Sequence, residues 1–171
     1  RAGIAHLWFL TIHPFEDGNG RIGRLIMDLA LAQAEQRTIR LYAMSRTINE
    51  RRKAYYEVIE RTQKGELDIT GWLDWFIKTL KASIEQTQDV IARTIFKAKY
   101  WRYFDASLLN VEQVKVLNRM LDGDFEMGIN NNQYKAVTGV SRATATRHLA
   151  QLNEQGFLQT GEAGGRSVRY K

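Results

Sequence analysis

Cysteine is absent from the 171 residues, and proline occurs once, at Pro14. Without cysteine there is no disulfide framework, no thiolate metal site and no cysteine nucleophile. That composition fits a cytoplasmic protein. A single proline leaves few positions that compel a break in a helix. Long apolar runs are lacking too. The strongest, Leu25–Ala34, is interrupted by Asp28 and falls well short of the roughly 20 residues that span a bilayer, so no membrane segment is expected. No cleavable signal pattern opens the chain, and its first residue is Arg rather than Met, as at a cut or processed end. Missing also are the Gly-x-x-x-x-Gly-Lys-[Ser/Thr] loop and the glycine-rich strand of protein kinases, which removes the common nucleotide folds.

What is present is a globular composition: 44% hydrophobic residues and 11% aromatic, ample for one ordinary domain or two small ones. The net charge of +6, with a pI near 9.6, asks for an anionic partner: nucleotide phosphate, nucleic acid or an acidic protein surface. Residues 1–106 hold 17 basic against 13 acidic residues, and 107–171 hold 8 against 6. Within the second part, positions 135–171 carry six basic and two acidic residues, so the excess gathers at the end.

The periodicity is mostly helical and changes character near residue 106. A helix over Ile4–Ile12 must end before Pro14, because the residue preceding proline is pushed out of the helical region. Asp17-Gly18-Asn19-Gly20 is a turn cluster. A second helix from about Gly20 to Gln36 carries Ile22, Leu25, Ile26, Leu29, Ala30 and Ala32 around most of its surface, the pattern of a buried central helix. Ser45 is the expected cap of a third helix through Arg61, with Ile48, Tyr55 and Ile59 on one face. Thr70 caps a fourth segment, either one long helix or two with a break near Lys81–Ser83.

Beyond Phe104 the elements shorten. Asn110 and Gln113 have capping-box spacing ahead of a helix to about Leu121, and Gly123 marks a turn. A short helix near Gln133–Val137 follows. Ser141 then caps a helix over Arg142–Glu154 with Ala145, Leu149 and Leu152 inward and Gly156 at its end. The stretch from Phe157 to Tyr170 reads as a hairpin. Three helices and a hairpin make a winged helix-turn-helix. The expected fold is thus mainly α, a helical core over 1–106 followed by a winged helix over 107–171. Arg142, Thr146 and Arg147 on the recognition helix, with Arg166 and Arg169 on the wing, are its candidate DNA contacts. A solvated basic face used for protein contacts is the competing reading. His6 and His148 are expected to be packing or surface residues.

The chemistry concentrates at residues 13–24. Gly18, Asn19 and Gly20 lie where a helix begins, so backbone N–H groups lack intrahelical partners and form an anion site. Asp17 as a simple cap explains Asp17 and Gly18 but not Arg21 and Arg24. Cations in a first turn oppose the helix dipole, by about 0.3–1 kcal/mol each, unless an anion sits there. His13 before that site is a candidate general base, and Asp17 offers one hard oxygen ligand suited to Mg²⁺ that keeps its waters. Together they fit phosphoryl or nucleotidyl transfer.

The string His13-Pro14-Phe15-Glu16-Asp17-Gly18-Asn19-Gly20-Arg21-Ile22-Gly23-Arg24 resembles the complete signature of the Fic family, H-P-F-x-D-G-N-G-R-x-x-R. The resemblance extends over roughly residues 1–105, and many proteins similar to this one also carry a C-terminal winged helix. It implies transfer of AMP from ATP to a Ser, Thr or Tyr hydroxyl of a target protein, with removal of AMP or transfer of phosphate as related reactions on the same scaffold. A transcription regulator with a Fic-like sensor part is the alternative, and a homodimer is a candidate assembly. By the same resemblance His13 would deprotonate the hydroxyl, and Asp17 would hold Mg²⁺ between the α- and β-phosphates. Gly18, Asn19 and Gly20 would form the anion pocket, Arg21 and Arg24 would hold the outer phosphates, and Phe15 would anchor the loop in the core. Two family elements have no counterpart here, the β-hairpin flap upstream of the motif and the inhibitory [S/T]-x-x-x-E-[G/N] helix. Thr62–Leu67 comes closest to the latter. The expectation is that both lie N-terminal to Arg1 and that residues 1–171 alone bind phosphate better than they transfer AMP.

Overall fold

A computed structural model describes residues 1–36, 42–161 and 168–171. The chain divides into two compact units, Arg1–Asp89 and Val90–Lys171. The described residues are mainly helical, and no helix among them is long and apolar enough to cross a membrane.

In the first unit, α1 (Ala2–Ile12) ends at His13, as the following proline requires. The exit is through the left-handed region (φ 49°, ψ 56°), and the His13 N–H still reaches the Phe9 carbonyl at 3.0 Å. That basin costs a non-glycine residue about 1–2 kcal/mol. α2 (Asn19–Glu35) packs against α1, and Gly23 permits the approach. A Cβ at Gly23 would meet the His6 ring and Leu10 at 3.3 Å. Met27, Ala30 and Leu31 point from α2 into the core, but Leu25 and Leu29 are 67% and 57% exposed. The expected burial of α2 on most sides is therefore corrected to one buried stripe: α1 and the core cover a single face, and apolarity alone did not reveal which.

The single helix expected from Ser45 to Arg61 is two, α3 (Met44–Glu50) and α4 (Arg52–Lys64), divided at Arg51 (φ −108°, ψ 27°). Ser45 is not the cap. Met44, 1% exposed, is drawn into the core and starts the helix two residues earlier, with Ala43 at the cap position. Ile48, Tyr55 and Ile59 are buried as their spacing predicts. α5 (Thr70–Tyr103) is one continuous helix, and Thr70 is its first residue, with Asp68 Oδ1 accepting from the Thr70 N–H at 2.8 Å. The core of this unit centres on Trp72, whose indole N–H donates to the Gly3 carbonyl at 2.8 Å.

The second unit contains the later part of α5, a short 3₁₀ turn at Ala106–Leu108, α6 (Val111–Leu121), α7 (Asn131–Thr138) and α8 (Arg142–Glu154). Asn110 and Gln113 form the expected capping box. Asn130 and Gln133 form a second one, which starts α7 earlier than its apolar residues indicate. Ser141 caps α8, and Gly156 takes the left-handed conformation (φ 77°) after it. Ala145, Leu149 and Leu152 are buried against Val116, Leu117, Ile129 and Tyr134.

The expected hairpin is corrected. Among the described residues there is no strand, only isolated antiparallel bridges pairing Tyr170 with Thr160 and with Ile129. Gln159 and Lys171 exchange two backbone hydrogen bonds, as do Ile129 and Tyr170, so the pairing is too short on each side to make a ladder. Residues 162–167, including Arg166, lie outside the described residues.

Candidate functional site

Glycine, one buried asparagine and an ion pair shape the turn between α1 and α2. Gly18 takes φ 86°, open to glycine at no steric cost, and its carbonyl receives the N–H groups of Arg21 and Ile22 at 2.9 and 3.0 Å. Asn19 is 3% exposed. Its Oδ1 accepts from the Phe15 N–H at 3.1 Å, and its Nδ2 donates to the Phe15 carbonyl. The Asn19 side chain therefore clamps the loop at Phe15 and is not itself free to hold an anion. Asp17 Oδ1 accepts from the Gly18 N–H at 2.6 Å, and Arg21 pairs with Asp17 Oδ2 at 3.2 Å. Both partners of that pair are largely exposed, so the pair adds little stability and opens readily to a competing anion or cation. The Asn19 and Gly20 N–H groups have no acceptor among the described residues and lie at the N-terminus of α2, beside Arg21.

His13, Glu16 and Asp17 are all exposed around this turn. Phe15 is half exposed and touches Phe9, with ring centroids 6.3 Å apart. The expectation of Phe15 as a core anchor is corrected: the loop is anchored by Asn19 instead. Among the described residues no three His, Cys, Asp or Glu side chains gather as metal ligands. Asp17 alone suits a hard cation that draws its other ligands from water and phosphate.

Arg24 joins this loop to a cleft that sequence reasoning missed. A cavity of about 500 Å³ is lined by Arg24 from α2 together with Ser45, Arg46, Ile48, Asn49, Arg52, Tyr55 and Tyr56 from α3 and α4. Its size is that of a small-molecule site. Arg46 is steadied by Glu50 at 3.0 Å, and Gln86 donates to the same carboxylate at 3.1 Å. Those two bonds hold the Glu50 carboxyl below the usual carboxylate range. The Arg52 guanidinium lies over the Tyr56 ring at 5.6 Å. The Tyr55 hydroxyl is 2.8 Å from His6 Nε2, and burial pushes its pKa up to about 12. Three guanidinium groups beside two tyrosines and an asparagine suit an anionic ligand that also carries a flat ring. The sequence signal for this cleft was the Arg46/Arg52 pair flanking Asn49, which helical spacing alone does not bring to Arg24.

In the second unit, Arg142, Thr146 and Arg147 are exposed on α8. The Thr146 hydroxyl already donates to the Arg142 carbonyl at 3.0 Å and accepts from Asn131 Nδ2 at 3.0 Å. Arg169 is half-buried and donates to the Gly128 carbonyl at 2.9 Å. His6 and His148 both pack in the interior. Asn110 Nδ2 and the Tyr134 hydroxyl bond the two nitrogens of His148 at 3.2 and 2.9 Å.

A family model described as the Fic/DOC family matches residues 1–31. The match takes in α1, the loop and most of α2, and stops short of the expected span of roughly residues 1–105.

Proposed function

We propose that the loop at 13–24 and the cleft beside it bind ATP and transfer AMP to a protein hydroxyl. The observation that carries this reading is the double membership of Arg24, in the helix-terminal anion loop and in the basic, tyrosine-lined cleft. Similarity of residues 1–31 to the Fic/DOC family supports it.

In this reading the Asn19 and Gly20 N–H groups and Arg21 receive phosphate oxygens. Arg24, Arg46 and Arg52 hold the remaining negative charge in the cleft. Tyr55, Tyr56 and Asn49 border the base. His13, exposed at the mouth of the loop, takes the proton of the incoming Ser, Thr or Tyr hydroxyl as its oxygen bonds to the α-phosphorus. The bond from that phosphorus to the bridging oxygen breaks, and pyrophosphate leaves with the electron pair. Mg²⁺ on Asp17, when bound, would neutralise charge on the phosphate oxygens. Positioning and charge neutralisation carry most of such a reaction, and Asn19 acts as a positioning residue by fixing the loop.

Intact-mass measurement after incubation with candidate targets, ATP and Mg²⁺ tests the proposal. Gain of one AMP on a target supports it. Gain of one phosphate, or loss of AMP from a target already carrying it, would assign a related reaction, and no change on any target would favour a sensor role.

The second unit is proposed as a winged helix, with α8 as the helix that would enter a major groove and Arg142 and Arg147 at its exposed opening. The capped order α6, α7, α8 supports this. Gel-shift titration against random duplex DNA at two salt concentrations tests it, since phosphate contacts by these arginines predict strongly salt-dependent binding.

A further inference from the structure

The second unit contains a cleft of about 650 Å³ that the nucleotide-transfer reading does not use. Its walls come from the later part of α5, from α6, and from the turns at 123–128 and 156–159. The lining is unusually aromatic. Phe96, Tyr100, Phe104, Phe125 and Phe157 all contribute, and the Tyr100 hydroxyl is turned away to donate to the Phe157 carbonyl at 2.7 Å. The tyrosine thus presents its ring to the cleft and its polar end to the backbone.

The charged groups at the rim are not equivalent. Asp124 is paired with Arg119 at 2.6 Å. One helical turn from Arg93, Lys97 is paired with Asp122 at 2.7 Å. Arg93 itself enters no ion pair among the described residues. It is nevertheless seated: a Cβ on Gly123 would lie 2.6 Å from Arg93 Nη1, so the guanidinium rests on the bare α-carbon of that turn. Gly123 (φ 100°) is followed by Phe125, a bulky residue held at φ 61° with its carbonyl receiving the Gly128 N–H at 2.6 Å. A left-handed phenylalanine is backbone strain, and strain gathers at binding sites. Here it turns the backbone at the wall of the cleft, beside the seat of the guanidinium.

We propose that this cleft binds a small aromatic monocarboxylate, with its ring among Phe96, Tyr100, Phe125 and Phe157 and its carboxylate on Arg93. The volume is that of a small-molecule pocket, and an apolar lining with a few charged groups at its rim is its usual chemistry. A guanidinium fork matches a carboxylate in two parallel hydrogen bonds. Glu126 and Asp124 share the rim, which disfavours a dianion such as a phosphate ester relative to a single negative charge. The proposal is independent of the chemistry at residues 13–24, since every lining residue lies in the second unit.

The test uses the full 171-residue chain and three probes, naphthylacetate, naphthylacetamide and decanoate, titrated by calorimetry and by amide NMR. The glycine cross-peaks of Gly123, Gly128 and Gly156 fall in a sparse spectral region and report on three sides of the cleft. The expected result is shifts at those glycines, with the acid bound about tenfold more tightly than its uncharged amide. Arg93→Gln, an exposed position whose change leaves the core intact, should erase that preference while both probes still bind. Lys171→Gln, at the same rim, should leave it in place. Absence of shifts at the glycines would overturn the site. Equal binding of acid and amide, or a preference that survives Arg93→Gln, would overturn the role of Arg93. Tighter binding of decanoate would overturn the aromatic class of ligand.

Discussion

His6 Nε2 lies 2.8 Å from the Tyr55 hydroxyl, so the helix that precedes the 13–24 loop is tied to the helix that lines the Arg24 cleft. The imidazole stacks on Trp72 with ring centroids 5.8 Å apart, and on its other side it abuts Gly23. One buried histidine thus touches α1, α2, α4 and α5 within the first unit. Tyr55→Phe keeps the ring and removes the bond, leaving a buried ring nitrogen without its partner. The expected cost is about 1–3 kcal/mol, read as a lower urea midpoint by the fluorescence of Trp72 and Trp75. An unchanged midpoint would mean that the bond contributes nothing net to the first unit.

Burial also sets a pH dependence in each unit. Desolvation holds the pKa of His6 below its ordinary 6.5, outweighing the opposing influence of the nearby Gly23 backbone. Desolvation likewise lowers His148, helped by Arg147. A histidine with a lowered folded pKa binds fewer protons folded than unfolded between the two values. Stability is therefore complete above about pH 6.5 and falls as the pH drops below it. Melts at pH 7.5 and 5.5 should show both units losing stability in acid. His148→Gln should flatten the dependence in the second unit, followed through Trp101, and leave that of the first unit unchanged. A stability that rises on acidification would contradict the sign.

Asn19→Ala should damage the loop without unfolding α2. The side chain supplies both bonds to the Phe15 backbone, while the N–H groups of Arg21 and Ile22 are satisfied by Gly18. The expected outcome is faster proteolysis between Pro14 and Asp17, little change in helicity, and a stability loss of about 1–3 kcal/mol from the unpaired backbone groups. Wild-type proteolysis would show that something other than Asn19 fixes the loop.

What the sequence made legible were features written locally. The Asn110–Gln113 and Ser141 caps and the Gly156 stop each depend on residues within four positions, and each stands where expected. Less legible were features set by partners distant in the chain. Nothing near Arg51 announces a break, since neither glycine nor proline is there, and it arises because Met44 and Ile48 commit α3 to the core before α4 begins. Leu25 and Leu29 carry the same apolar signal as Met27, and only the packing of α1 against α2 decides which are covered. The cleft beside Arg24 needs residues about twenty to thirty positions away, so no spacing rule could have assembled it.

Asp17→Ala should weaken Mg²⁺-dependent nucleotide binding more than Glu16→Ala. Both carboxylates are exposed, but Asp17 is oriented toward the start of α2 by its bond from the Gly18 N–H. Calorimetric titration of ATP with and without Mg²⁺ separates the two. A greater loss with Glu16→Ala would assign the cation to Glu16.

Binding and transfer should come apart at His13 and Arg24. His13 is exposed in the loop, and no lining residue of the Arg24 cleft depends on it. A general base acts on the proton of the incoming hydroxyl, so its removal lowers the rate in the transition state, typically by about 100- to 10,000-fold, and leaves ground-state nucleotide binding alone. In the proposed function Arg24 would contribute instead to the charge that holds phosphate. Arg24→Ala should weaken ATP binding by at least about tenfold, the scale of one charge-assisted contact, and the deficit should shrink as salt rises. Arg52→Ala should share this effect, because it lines the same cleft and keeps its guanidinium over Tyr56. Calorimetry for affinity and radiolabelled AMP transfer for rate, on the same preparations, should place His13→Ala at normal affinity with lost transfer, and Arg24→Ala at reduced affinity with a smaller rate deficit under saturating ATP. If His13→Ala abolishes binding, or Arg24→Ala spares it, the loop and the cleft do not divide the work in this way, and the double membership of Arg24 loses its meaning.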